Sequence, residues 1–308
     1  MKLWKRALAL ALCLLLTACA PAESVEAPVP GGTEPSAADL PSGGEEAPPS
    51  LAEDEEPTVL TCRIVDGAED GNLLLAELGD GLYGGTGVYR LNGKDVAVTL
   101  DGEAAEPSVL EDGMVVEVSF NGSVLESFPA QFGEVYQIAG YSIGSEKNPA
   151  GTCYDLCGLY LQVLDDLWEK DKGLNENISL AGLDLSNAPG ELTESEKAAL
   201  AWRFGEMHGV EVVQGTFQEL KEQGYLTSEP LGDGAPEGAA FVHWEDGCLF
   251  SITPSEDHEG ESYSLPTLFF NAAKWRSSLG AYGFYDCSAM WPQGGTWNGY
   301  QIGSEMIS

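Results

Sequence analysis

From Ala20 to Pro57 the chain carries ten acidic residues and eight prolines, with no lysine, arginine or aromatic residue. Such a segment cannot bury enough apolar surface to offset its chain entropy, and its like charges repel. It is expected to be a disordered tether. At about 3 Å per residue it would reach up to ~100 Å when extended. Any folded core must therefore come from Thr58 to Ser308, a length that suits one large domain or two small ones; two modules are expected, residues 58–145 and 146–308.

The segment before the tether has three parts. Lys2, Lys5 and Arg6 give a positive start, Ala7 to Leu16 is a ten-residue apolar run, and Thr17-Ala18 are small residues ahead of Cys19. That is the layout of a secretory signal, since a bilayer-spanning helix needs roughly 20 apolar residues. Leu16-Thr17-Ala18-Cys19 resembles the lipobox of bacterial lipoproteins. The resemblance implies cleavage after residue 18 and a diacylglyceryl-modified Cys19 as the mature N-terminus. The expected location is the outer face of a Gram-positive-type envelope, attached to the membrane through the N-terminal lipid. An ordinary cleaved signal peptide is the alternative.

Charge excludes one class of partner. The chain has 14 Lys and Arg against 50 Asp and Glu, a net charge of −36. Loss of residues 1–18 removes three of the cations. A polyanion of this size repels nucleic acid and anionic headgroups, so nucleic-acid binding is not expected. Membrane attachment must come from acyl chains. Expected partners are an unidentified ligand or an envelope protein. Ca²⁺ is the one cofactor the acidic composition raises.

Residues 58–145 read as all-β. Short runs at Thr58–Val65, Asn72–Ala76, Gly87–Leu91, Asp95–Leu100, Val115–Phe120 and Val135–Ile138 are separated by Gly and Asp turns. Val116, Val118 and Phe120 alternate with Glu117 and Ser119, and Asn121-Gly122 then signals a two-residue hairpin. Gly113 to Gln131 followed by Val135-Tyr136-Gln137-Ile138 is similar to an OB-like module of secreted Gram-positive lipoproteins. The resemblance covers about 30 residues well and the whole segment loosely. It implies a small β-barrel in an extracytoplasmic setting, and no activity.

Residues 146–308 read as α+β, with about three helices on an antiparallel sheet. Leu156, Leu159, Tyr160, Val163, Leu164, Leu167 and Trp168 make one helical face over about Cys153–Lys172, with Gly173 as its stop. Thr193 with Glu196, and Thr216 with Glu219, are capping boxes for two further helices ending at Gly209 and Gly224. A strand at Val210–Val213 lies between them. Strands are expected at Ala239–Trp244, Cys248–Thr253, Ser264–Phe270, Ala281–Cys287 and Trp297–Ile302.

Five cysteines lie beyond the tether: Cys62, Cys153, Cys157, Cys248 and Cys287. The odd number leaves at least one free thiol. Cys248 and Cys287 are candidates to pair across the sheet. Cys153 and Cys157, four apart on a helix, have poor disulfide geometry and read as core.

Candidate chemistry is sparse. Asp257, His258 and Glu259, in the acidic run from Glu256 to Glu261, are weak candidates for holding a metal, against the alternative of a solvated loop. Asp66 to Asn72 is a similar case. A nucleophile at Cys287 or Ser288 would need His208, His243 or His258 as base, and no Gly-x-Ser-x-Gly or His-Glu-x-x-His motif is present. No catalytic residue is assigned.

The aromatic C-terminus offers Trp275, Trp291, Trp297 and Tyr300 as ligand-binding candidates, because flat rings beside amides suit a sugar or peptide cleft. Core packing is the competing reading. Arg276, with Lys274 across Trp275, is a candidate clamp for a ligand carboxylate. The expectation is a non-catalytic binding lipoprotein. A cell-envelope hydrolase, or an accessory or sensor subunit of a membrane complex, are the alternatives.

Overall fold

Among the described residues, nine strands build the first sheet: β1 (Thr58–Asp66), β2 (Asn72–Glu77), β3 (Val88–Asn92), β4 (Ala97–Leu100), β5 (Glu103–Ala105), β6 (Val115–Phe120), β7 (Val124–Leu125), β8 (Ala130–Phe132) and β9 (Val135–Tyr141). Their order is β5-β4-β9-β6-β1-β2-β3-β8-β7. The computed structural model describes residues 56–79, 87–148, 155–232, 234–236, 238–258, 267–290 and 299–308.

This sheet curls. Four strand spacings of about 4.8 Å would put β6 and β8 roughly 19 Å apart in a flat sheet. Yet the Phe120 and Phe132 rings lie 4.9 Å apart, edge to face. One concave core gathers Cys62, Ile64, Leu73, Leu75, Val116, Val118, Phe120 and Ile138. The closed barrel implied by the OB-like resemblance is not shown, because the order has two ends and no pairing joins β5 to β7 among the described residues.

The Asn121-Gly122 hairpin does not form. Both edges of β6 are taken, by β1 and by β9, so the strand after the turn has no edge to pair with. Instead β7 pairs with β8. Asn121 makes an Asx turn, its Oδ1 accepting from Ser123 N at 3.1 Å, and Gly122 supplies a φ of +80°.

The second half contains α1 (Leu156–Glu169), β10 (Leu180–Asp184), α2 (Glu194–His208), β11 (Glu211–Gln214), α3 (Phe217–Glu222), β12 (Thr227–Pro230), β13 (Ala240–His243), β14 (Gly247–Pro254), β15 (Thr267–Ser277), β16 (Gly280–Met290) and β17 (Ser304–Ile307). These strands run β11-β10-β14-β15-β13-β12, with β16 paired to β15 and β17 to β16. The sheet is mixed rather than antiparallel as expected, since β10 lies parallel to both β11 and β14. The cause is the β10–α2–β11 crossover, which must return its strand in the same direction.

The chain from Asp54 to Ser308 is one compact unit. Helix α2 packs against β1, β2 and β3 on one side and β11 on the other. The residues of β2 therefore divide, with Leu73 and Leu75 in the concave core and Leu74 and Ala76 against the helices. The helical stripe of α1 is buried as its spacing predicted, together with Cys157, Phe204 of α2, and Phe250, Phe270, Phe284 and Cys287 from the sheet.

Both capping boxes form, and α2 ends on Gly209 in the left-handed conformation. Helix α1 ends differently from expectation. It stops at Glu169 with an extended Lys170, and Gly173 falls in the following 3-10 turn. Its cap comes from the sheet. The fully buried Lys274 donates through Nζ to Trp168 O at 3.2 Å, to Lys170 O and to Asn175 Oδ1 at 2.6 Å.

No described helix is long and apolar enough to cross a membrane. Cys62, Cys157, Cys248 and Cys287 are all free and buried. The candidate Cys248–Cys287 bridge does not form, as β15 runs between their strands. Cys153 lies outside the described residues.

Candidate functional site

Among the described residues, the outer face of the second sheet is covered over only part of its length. Near α3, Leu249 and Leu220 pack with Trp244, and Phe217 meets Trp275 edge to face at 4.9 Å. Farther along, the carboxyl ends of the parallel strands β10 and β14 lie side by side at Asp184 and Ser251. The crevice beyond such strand ends is where open α/β sheets commonly hold ligands.

A bulge shapes this region. Phe270 pairs with Cys287 and Ala272 with Phe284, so Tyr285 and Asp286 together oppose Asn271. The inserted residue, Asp286, has a φ of +55°. A non-glycine residue there carries strain of about 1–2 kcal/mol. The neighbouring strand leaves no slack, for a Cβ on Gly303 would lie 2.7 Å from Asp286 O. Asn271 holds the bulge from across the ladder. Its Oδ1 accepts from Asp286 N at 2.8 Å, and its Nδ2 donates to Pro254 O at 3.2 Å.

The bulge aims the Asp286 carboxylate outward. Its Oδ1 is 2.7 Å from His258 Nε2, and Ser255 Oγ donates to the same oxygen at 3.3 Å. With Asp286 ionised, His258 Nε2 must carry the proton. The imidazole is itself stacked on Phe269 at 3.9 Å.

These groups border an open depression of about 590 Å³, lined by Asn187, Thr253, Pro254, Ser255, Glu256, Asn271, Tyr285, Asp286 and Ser304. That volume lies in the range of small-molecule sites, about 300–1,000 Å³. The described lining contains no lysine or arginine. Its chemistry is hydroxyl, amide and carboxylate.

The residues singled out from sequence fall elsewhere, or only partly here. His258 is at the site, as partner of Asp286. Asp257 has no described side chain, and Glu259, Trp291, Trp297 and Cys19 lie outside the described residues. Trp275 packs under α3. Tyr300 sits on the helical side of the sheet, tilted against Phe270 and Phe284, and donates to Asp166 Oδ2 at 3.0 Å. Burial and the Asp166 charge hold its phenol protonated, well above the usual range.

Arg276 is not poised as a clamp. Its guanidinium donates to Leu174 O at 3.2 Å, Glu176 O at 2.9 Å and Glu245 O at 2.8 Å. Together with Lys274 it ties the segment after α1 to the sheet. The pairing of Cys287 with a base at His243 is also set aside. Cys287 pairs opposite Phe270 and His243 opposite Ser277, seven residues along β15 or roughly 23 Å. Burial pushes the Cys287 thiol up to about 12.

The acidic turn at Asp66–Asn72 is internally bonded. Asp66 pairs with Arg203, Asp112 Oδ1 accepts from Ala68 N at 2.9 Å, and Asp70 Oδ1 accepts from Asn72 N at 2.7 Å. The residue that sequence reasoning missed is Asp286. Its signal was the spacing of three between core positions Phe284 and Cys287, where a regular strand has two. No protein-family model matches the chain, and neither a curated protein nor a solved structure shows significant similarity to it.

Proposed function

We propose that this chain is an extracytoplasmic lipoprotein that holds a ligand, without transforming it, in the depression beside Asp286. The observation that carries the reading is the bulge. A strained aspartate is kept outward-facing by Asn271, Ser255 and His258, at the rim of a space lined by polar side chains. Strain of this kind persists only where the surrounding structure imposes it, and such residues cluster at functional sites. Binding is favoured over hydrolysis because the Ser255 hydroxyl donates to the Asp286 carboxylate and so is not presented to the imidazole as a nucleophile.

The lipobox and the tether support the placement. Cys19 would carry the lipid, and residues 20–57 would give the folded unit reach from the membrane. Cells grown with a labelled fatty acid are expected to label the parent chain and not Cys19→Ser; a parent chain that takes up no label overturns the anchoring.

A thermal-shift panel tests binding, using the full chain in sugar-free detergent with oligosaccharides, peptides, polyamines, and Ca²⁺ with and without EDTA. A ligand at about 100 times its Kd adds about 2.7 kcal/mol, or roughly 5 °C or more for a domain of this size. A saturable shift that Asp286→Asn abolishes supports the site. A shift unaffected by that change places binding elsewhere. A Ca²⁺ shift reversed by EDTA returns the acidic run around His258 as a metal site.

A further inference from the structure

The surface of the depression narrows the ligand class. Tyr285 leans along β16 across Gly283, where a Cβ would lie 2.7 Å from the ring Cε2 and 3.1 Å from the phenol oxygen. Gly283 thus makes room for the ring to lie over the strand. Tyr285 is half-buried, so one side of the ring rests on the sheet while the other is open to the depression.

Hydrogen-bonding capacity surrounds that ring. Asp286 Oδ1 takes the bonds from His258 and Ser255, and Oδ2 has no partner among the described residues. The hydroxyls of Tyr285, Thr253 and Ser304 likewise have none. A hydroxyl both donates and accepts, so this set matches a ligand whose own groups are hydroxyls.

Charge removes the competitors. Glu256 and Asp286 repel phosphates and carboxylates, and no described lining residue offers a cation to hold them. His258 Nε2 and Ser255 Oγ already occupy Oδ1 of Asp286, which leaves that oxygen less open to a cation. The described lining has one aromatic face and no aliphatic pocket for peptide side chains. What remains is a neutral, hydroxyl-rich molecule with a flat apolar face.

We propose that the depression binds a neutral saccharide, one pyranose ring stacked on Tyr285 and adjacent hydroxyls hydrogen-bonded to Asp286 Oδ2. The inference rests on the depression being the binding site.

The test is calorimetry on the full chain in sugar-free detergent. The probes are the hexaoses of chitin, cellulose, xylan, mannan and starch, with spermidine and trilysine as cationic competitors. At least one hexaose is expected to bind saturably. Tyr285→Ala, Asp286→Asn and Gly283→Ala, which displaces the ring, should each weaken it about tenfold or more. Thr227→Ala, on the exposed β12, should leave it unchanged. Asparagine tolerates the left-handed conformation, so Asp286→Asn keeps the bulge, and equal urea midpoints confirm that the variants fold. Hexaose binding unchanged in Tyr285→Ala and Asp286→Asn overturns the proposal. Binding of spermidine or trilysine alone, lost in the same variants, keeps the depression as the site but overturns the saccharide. No binding by any probe overturns both.

Discussion

Arg63 Nε and Glu196 Oε1 lie 2.6 Å apart, joining the first sheet to α2 across 133 residues of chain. The other Glu196 oxygen accepts from Thr193 N at 2.7 Å, so one carboxylate both closes the α2 capping box and docks the helix on β1. The Glu196 side chain is 4% exposed and that of Arg63 15%. Removing one partner of a buried pair costs about 3–5 kcal/mol, because the other charge stays buried. Losing an N-cap alone costs about 1 kcal/mol. Glu196→Ala should therefore lower urea stability by at least roughly 2 kcal/mol more than Thr193→Ala. Equal losses would reduce Glu196 to a cap.

Asp155 caps α1 nearby, accepting from Gly158 N at 2.9 Å. Burial raises its pKa to about 6, with the Asp112 charge adding to the rise, against a model-compound value of 3.8. The folded chain thus binds this proton more tightly than the unfolded chain does. Its stabilising contribution is full below about pH 4 and is lost as pH rises through 6, up to roughly 3 kcal/mol. Asparagine keeps the cap and has no charge to bury. Asp155→Asn should match the parent in urea stability at pH 4 and exceed it at pH 7.5. A constant difference across that range would contradict the buried-carboxylate account.

The helix caps were legible because their chemistry is local. Thr193 and Thr216 find Glu196 and Glu219 within one turn, and nothing distant alters that. Strand β6 was legible from Val116, Val118 and Phe120, whose period matches a sheet with one buried face. Strand β10 was not. Leu180-Ala-Gly-Leu-Asp has no β-branched residue, and its conformation comes from parallel neighbours on both sides. Gly182 is needed there for contact, since a Cβ would sit 2.8 Å from the Trp244 ring. Asn121-Gly122 shows the reverse failure, a sound local signal defeated by the lack of a free edge. The depression escaped because its residues come from five separated stretches, around Asn187, Thr253, Asn271, Asp286 and Ser304. Only the bulge spacing near Asp286 left a trace in one stretch.

Lys274 offers a prediction about helix termination. Its ammonium satisfies the carbonyls that the end of α1 leaves without intrahelical partners. Burial pulls its pKa down to about 8, so it remains charged at neutral pH. Lys274→Met keeps the length of the side chain but leaves three acceptors, one buried and two partly buried, without this donor. The expected loss is about 2–4 kcal/mol, with earlier hydrogen exchange at Trp168 to Asn175 than in the parent. Unchanged protection in that segment would show that the turn is held by Arg276 alone.

Asp286 should display opposed demands of stability and binding. Its φ of +55° is costly for alanine, milder for aspartate or asparagine, whose short polar side chains bond locally, and costless for glycine. Asp286→Gly and Asp286→Ala both remove the carboxylate, and with it the bonds from His258 and Ser255. The difference between the two variants isolates the backbone. Asp286→Gly should be the more stable by about 1 kcal/mol, read as a higher urea midpoint at equal slope. Neither should bind the ligand of the depression. If the two variants are equally stable, the bulge relaxes when the carboxylate is gone. The left-handed conformation would then be imposed by the His258 and Ser255 contacts rather than by the ladder between β15 and β16. The remaining comparison is Asp286→Asn, which keeps a polar side chain suited to that conformation. It should lie close to the parent in stability while losing affinity, separating the charge that serves the ligand from the geometry that serves the fold.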